Sequence, residues 1–190
     1  MSVTILTVFV APCHYSRTGR GKMAGSEAFL AMAKSQVGPR LRADGSTEYG
    51  DWFAELVGDR GHRTGDFCAM GLLWCAWRTN QVLVLGGVDP RWARVPSWWG
   101  HWREIGRSTK KPARGRIAFF DFNSTGYPEH VGAVLQDNGN GSIVSIEFNT
   151  LNGWCAVRGR RTSDVLGFAD PAWPDTRVPL VAGGDSCWRG

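Results

Sequence analysis

Residues 129–150 read EHVGAVLQDNGNGSIVSIEFNT: two runs rich in β-branched residues, VGAVLQ (131–136) and SIVSIEF (142–148), separated by DNGNG. Asn-Gly pairs favour the positive-φ turns that join antiparallel strands, so the segment is expected to fold as a hairpin. Paired residue numbers around that turn sum to roughly 277–279, which sets His130 opposite residues 147–149, where Glu147 and Asn149 stand. An odd sum brings both polar groups to the face that carries His130, because strand side chains alternate with period two. The spacing alone does not fix the sum.

Working outward, RIAFFDF (116–122) supplies a further strand, and SWWGHWREIG (97–106) before it is expected to form a short helix. The stretch FCAMGLLWCAWRT (67–79) is apolar and too long for a strand, so a buried helix is expected over 66–80, capped by Asp66 or Thr64. AGSEAFLAMAKSQVG (24–38) has a helix start in Ser26 and Glu27 and a stop in Gly38-Pro39. Between Arg40 and Gly65 the sequence is turn-rich. Helices followed by an antiparallel sheet make the α+β class.

The chain has 190 residues, 43% hydrophobic and 21% charged, which fits one globular domain and excludes disordered, collagen-like and coiled-coil classes. No run approaches the ~18 apolar residues of a membrane span. Met1–Val10 are apolar but lack a basic start and a small-residue cleavage site, so a signal peptide is not expected. The folded unit is expected from Met23, with residues 1–22 a leader or a start-site artefact, a catalytic domain over 23–165 and a tail over 166–190. The net charge of +5 implies attraction to an anionic partner. Its small basic clusters, KK at 110–111 and RGRR at 158–161, lack the aromatic interleaving of RNA-binding sheets, so nucleic acid is not expected. Five cysteines without a C-x-x-C argue against a disulfide framework or zinc knuckle and leave at least one free thiol.

Cys68 falls at the start of the expected buried helix, where unpaired N–H groups and the helix dipole favour a thiolate and can hold an oxyanion. It is a candidate nucleophile. Cys75, two turns on, is expected to pack in the core, and Cys155 and Cys187 are left either paired with each other or unpaired. A thiolate needs a base that can later donate a proton, which histidine does near neutral pH. Of the four histidines, His14, His62 and His101 lie in the leader and in loops, whereas His130 opens a strand that aims its ring. Glu147 or Asn149 can then accept from Nδ1–H of His130 and aim Nε2 at the thiol.

In this order FCAMGLLWCAW (67–77), KPARGRIAFFDF (111–122), EHVGAVL (129–135) and IEFNT (146–150) resemble the CHAP domain, a cysteine, histidine-dependent amidohydrolase/peptidase of the papain-like, NlpC/P60-related group. The corresponding family patterns are W-C-A-x-F-V-S-W, P-x-x-G-D-I-V-F-F-x-W, H-V-G-I-V and E-G-N-T. The resemblance spans about residues 24–160 and implies helices packed on a small antiparallel sheet. It implies Cys68 as nucleophile, His130 as base, Glu147 as the acidic third residue and Asn149 as an accessory polar group.

Phe67 replaces Trp, Gly71 an aromatic, Arg116 an Asp and Phe148 a Gly of the family pattern. Gly71 is expected to leave a gap near the core, and Arg116 and Phe148 to alter the groove. Trp98, Trp99 and Trp102 are candidates for binding substrate, with core packing the open alternative; Trp74 and Trp77 are expected in the core.

The resemblance implies a peptidoglycan hydrolase, N-acetylmuramoyl-L-alanine amidase or endopeptidase, acting at the cell wall as a phage lysis protein or a secreted bacterial enzyme. Peptidoglycan and anionic wall polymers are the expected partners, a monomer the expected state, and no metal or other cofactor is called for. Two alternatives are an inactive wall-binding module of the same fold and a cysteine hydrolase of a non-wall amide.

Overall fold

The computed structural model describes residues 25–174. The apolar run that begins at Cys68 folds as a helix, Cys68–Arg78, in which every residue from Cys68 to Ala76 is buried. A helix that is apolar on all sides has no face to give to water, and this one lies at the centre of the main core. In chain order the elements are α1 (Gly25–Ser35), β1 (Gly38–Pro39), α2 (Glu48–Val57), α3 (Cys68–Arg78), α4 (Val95–Glu104), β2 (Ser108–Thr109), β3 (Ile117–Phe120), β4 (His130–Asp137), β5 (Ser142–Thr150), β6 (Trp154–Arg161) and β7 (Val165–Ala169). Among the described residues, four helices and one antiparallel sheet, ordered β1-β6-β5-β4-β3-β7-β2, make the α+β arrangement that the sequence implies.

The β4–β5 hairpin pairs Gly132 with Glu147, Ala133 with Ile146 and Val134 with Ser145, so the residue numbers near the site sum to 279. A register shift between Val134 and Gln136 then changes the sum toward the turn, where Gly139 and Gly141 take positive φ. The alternation separates two apolar groups. Val131, Ala133, Ile146 and Phe148 join the helices in the main core, whereas Ala118, Phe120, Val134, Ile143, Val165 and Phe168 form a smaller core on the other face.

Several elements differ from the sequence expectations. The stretch expected to be turn-rich contains α2, whose N-cap Thr47 accepts from Gly50 N at 3.0 Å. Gly50 obscures this helix in the sequence, yet a Cβ there would stand 2.5 Å from the Arg63 carbonyl oxygen, so close packing requires it. The tail expected from 166 begins inside β7, which inserts between β3 and β2 and places Phe168 in the second core. Beyond it, Trp173 stacks on Phe29 at 4.9 Å and donates to the Gly115 carbonyl at 3.0 Å. The sheet thus continues to Ala169, past residue 165. The expected leader 1–22, with Cys13 and His14, and the end of the tail, with Cys187, lie outside the described residues.

Two departures from the family patterns fit each other. A Cβ on Gly71 would come within 2.3 Å of the Phe148 ring, and Phe148 is fully buried against Tyr49 at 5.0 Å. The expected gap at Gly71 is filled from the strand side, so Phe148 belongs to the core and not to a groove. Arg116 turns instead to the Lys111 carbonyl and to Asp170, at 2.8 and 3.0 Å.

Candidate active site

Cys68 is the first residue of α3, and the N-cap, Phe67, offers no side-chain hydrogen bond. The leading N–H groups of the helix are therefore left uncapped by side chains, beside the thiol. Asp66, expected as a possible cap, instead accepts from Asn149 Nδ2 at 2.9 Å. This contact ties the end of β5 to the segment that presents Cys68. Asn149 takes φ +53°, a left-handed conformation that asparagine tolerates better than most residues.

The 279 register brings His130 and Glu147 to one face of the hairpin. Glu147 lies diagonally across from His130, opposite Gly132, and crosses to it through space that a side chain at 132 would occupy. A Cβ on Gly132 would stand 2.7 Å from Glu147 Cγ. The resulting contact joins His130 Nε2 and Glu147 Oε2 at 3.0 Å. This reverses the expected ring orientation: Nε2 meets the carboxylate, and Nδ1 is the nitrogen left for the thiol. Glu147 reaches the ring from two residues along the partner strand, and that approach selects the far nitrogen.

Glu147 is fully buried, and its carboxylate is held from several sides. Oε1 accepts from Ser145 Oγ at 2.6 Å and Arg160 Nε at 2.9 Å, and Oε2 accepts from Arg160 Nη2 at 2.6 Å. Burial pushes the carboxyl pKa up, but hydrogen bonds from Arg160, His130 and Ser145 outweigh it and hold the group at about 2. For His130, burial pulls the pKa down, while the neighbouring Cys68 and Glu147 more than compensate and bring it to about 9. An imidazolium between a thiol and a carboxylate is thereby favoured at neutral pH. Burial instead pushes the other described thiols, Cys75 and Cys155, upward, Cys155 to about 12. Cys155 sits against the Ala33 carbonyl at 3.8 Å.

The sequence reading missed Arg160, Ser145 and Phe122 as neighbours of this cluster. Phe122 is 44% exposed, stacks on Phe120 at 5.4 Å and lies 6.2 Å from the His130 ring. The signal for Arg160 was present as RGRR, but its partner is separated from it by a turn and a second strand.

The tryptophans divide differently from expectation. Trp98 and Trp102 are buried to 0% and 2% exposure, and the Trp98 indole donates to the Leu85 carbonyl at 3.1 Å. Burial removes both from contact with a substrate; they anchor α4 to the core. Trp99 keeps some surface and borders a cavity of about 490 Å³ with Arg103, Thr109, Lys110 and Leu166, which Cys68, His130 and Glu147 do not line. Trp74 is buried and Trp77 packs at the core margin.

A family model described as CHAP domain matches residues 57–149. No curated protein matches the chain. The solved structure "The crystal structure of Ly7917" is similar to it with a TM-score of 0.48 and 15% identity, over 77% of this chain and 62% of that one. The chain thus spans less than two thirds of that structure's length.

Proposed function

From the premise that the chain carries a CHAP domain over residues 57–149, a family of amidase- and peptidase-type hydrolases, we propose that it cleaves an amide bond of peptidoglycan by Cys68–His130–Glu147 catalysis. The observation that carries this reading is the placement of a thiol on an uncapped helix N-terminus beside a histidine bonded to a fully buried carboxylate.

In this mechanism the Cys68 thiolate attacks the amide carbonyl carbon, and the oxygen gains its negative charge within reach of the leading α3 N–H groups. Imidazolium His130 donates its Nδ1 proton to the departing nitrogen as the C–N bond breaks, which leaves a thioester on Cys68. Neutral His130 then takes a proton from water as the water oxygen attacks the thioester, and keeps it as the tetrahedral intermediate collapses and the C–S bond breaks to release the sulfur as thiolate. The carboxylic acid leaves and the Cys68 thiolate and imidazolium His130 are restored. Glu147 keeps the ring oriented throughout, and Asn149 serves as an accessory polar group whose bond to Asp66 ties β5 to the start of α3. Half-exposed Phe122 offers an apolar surface next to His130 to the peptide side of the substrate. The basic surface charge suits a wall carrying carboxylates and phosphates, and the site of action is extracellular.

The mutual fit of Gly71 and Phe148 supports an active enzyme over an inactive binding module, because these departures exchange volume and leave Cys68, His130 and Glu147 in place. Purified peptidoglycan incubated with wild type and Cys68→Ser provides the test. The variant is expected to lose at least about a thousandfold in rate, as removal of a nucleophile does. Equal release of fragments by both proteins overturns the reading, and mass spectrometry of the fragments distinguishes a cut at the muramic lactyl amide from a cut within the peptide.

A further inference from the structure

Arg160 lies on β6, paired by register with Ile143, and its side chain turns to the face that carries His130 and Glu147. Its planar fork takes both carboxylate oxygens of Glu147, Nε to Oε1 at 2.9 Å and Nη2 to Oε2 at 2.6 Å. The guanidinium also lies over Phe122 and Phe120, 4.8 and 5.5 Å from their ring centres. These are the same two rings that flank His130, at 6.2 and 5.8 Å. Arginine and histidine are thus laid against one pair of aromatic rings and bonded to one carboxylate. Ser145 supplies the remaining hydrogen bond from below. Building on the Cys68–His130–Glu147 reading, we propose that Arg160 is a positioning residue that clamps Glu147 in the orientation aligning His130 with the thiol.

The chemistry requires such a clamp at one stage in particular. His130 is cationic when the amine leaves and neutral while the thioester waits for water, so its charge compensates the buried carboxylate during only part of the cycle. A lone buried carboxylate tends to take up a proton. Arginine keeps its charge across the working pH range, and its fork matches the two oxygens of a carboxylate. Glu147 therefore stays anionic and fixed while His130 gains and loses its proton. The groups that face Glu147 are His130 from β4, Ser145 from β5 and Arg160 from β6, and those that face His130 are Glu147 and Cys68.

The test compares Arg160→Met, Arg160→Lys and Arg158→Met in the full chain. Arg158 shares the strand and, by alternation, the face, but pairs by register with Ser145 and does not bond the carboxylate. Cys68 alkylation by iodoacetamide, followed by peptide mass spectrometry across pH, reads the alignment without requiring turnover. Peptidoglycan hydrolysis reads kcat and KM.

In Arg160→Met the acid limb of alkylation is expected to move up by about one pH unit or more, as Glu147 takes a proton and ceases to favour imidazolium. The kcat is expected to fall at least about tenfold with KM within about twofold. Arg160→Lys keeps the charge and loses the fork, so its limb stays near that of wild type while kcat drops by a smaller factor. Arg158→Met leaves the limb in place.

An unchanged limb and an unchanged kcat in folded Arg160→Met overturn the proposal. If that variant does not fold, wild-type kcat in Arg160→Lys overturns it. Failure of the catalytic reading has a different signature: full hydrolysis by Cys68→Ser, whatever the alkylation profiles show.

Discussion

The two faces of the β4–β5 hairpin use the same backbone for opposite purposes. Toward the helices, Val131, Ala133, Ile146 and Phe148 meet α3 as apolar volume, and Phe148 fills the space left by Gly71. On the other face, His130 and Glu147 meet across Gly132, with Ser145 and Arg160 completing the polar set. The first face is governed by total volume, which can be moved from one strand or helix to its neighbour. The second is governed by charge and direction, where each group has one partner geometry and no substitute. Gly71 and Gly132 make the same concession of space on the two faces, one to an aromatic ring and the other to a carboxylate.

Breaking the polar face is expected to have the larger effect. Glu147→Gln leaves Arg160 and His130 without their anion, and a loss of about 3 kcal/mol in stability is expected, the low end for a broken buried pair. The low end applies because Arg160 keeps 19% of its side-chain surface exposed. Denaturant unfolding measures the loss, and peptidoglycan hydrolysis is expected to fall alongside it. A fully stable and active Glu147→Gln would erase the contrast between the faces.

On the apolar face, Phe148→Ala is expected to cost about 3 kcal/mol, a common value for a truncated core aromatic, while the Cys68 alkylation profile stays in place. Gly71→Ala sharpens the comparison. An exposed helix would gain up to ~1 kcal/mol from this change, but the 2.3 Å approach to the Phe148 ring reverses the sign and costs about 1–3 kcal/mol. In the Phe148→Ala background the same substitution is expected to be neutral or favourable. A double-mutant cycle on unfolding free energies measures the coupling, and simple additivity would show that the two residues do not share the space.

The pH dependence of stability reads the polar face without a substitution. Glu147, held at about 2 against an ordinary 4.5, contributes fully above pH 4.5 and loses its contribution as pH falls through 2. His130, raised from 6.5 to about 9, contributes fully below pH 6.5 and loses its contribution as pH rises through 9. Melting temperature is therefore expected to peak between pH 4.5 and 6.5 and to decline toward 9, and that alkaline decline is expected to vanish in His130→Ala.

Much of this arrangement was legible in the residues. Period-two alternation and the Asn-Gly turn put His130 and Glu147 within reach of each other, and the apolar run after Asp66 marked a buried helix that starts at Cys68. What was not legible has a common cause. Gly50 and Gly71 read as helix weakeners because propensity is local, whereas their reason is a carbonyl and a ring brought close from elsewhere in the chain. The pairing of β6 and β7 with β5, β1, β3 and β2 has no counterpart in local pattern. Trp98 and Trp102 lie in a stretch rich in Trp, Pro and Gly, and only the packing of α4 against the core distinguishes a core anchor from a groove wall.

By itself, then, the sequence determined the residue types and the strand and helix start that carry them, because strand alternation and helix starts are properties of neighbouring residues; the register that puts His130 and Glu147 on one face came only from the pairing of β4 with β5. Tertiary structure alone decided which nitrogen of His130 meets Glu147, that Arg160 closes over the carboxylate, and that Phe148 fits Gly71. Each of these depends on distances between strands and helices far apart in the chain, and such distances are fixed only when the sheet closes against α3.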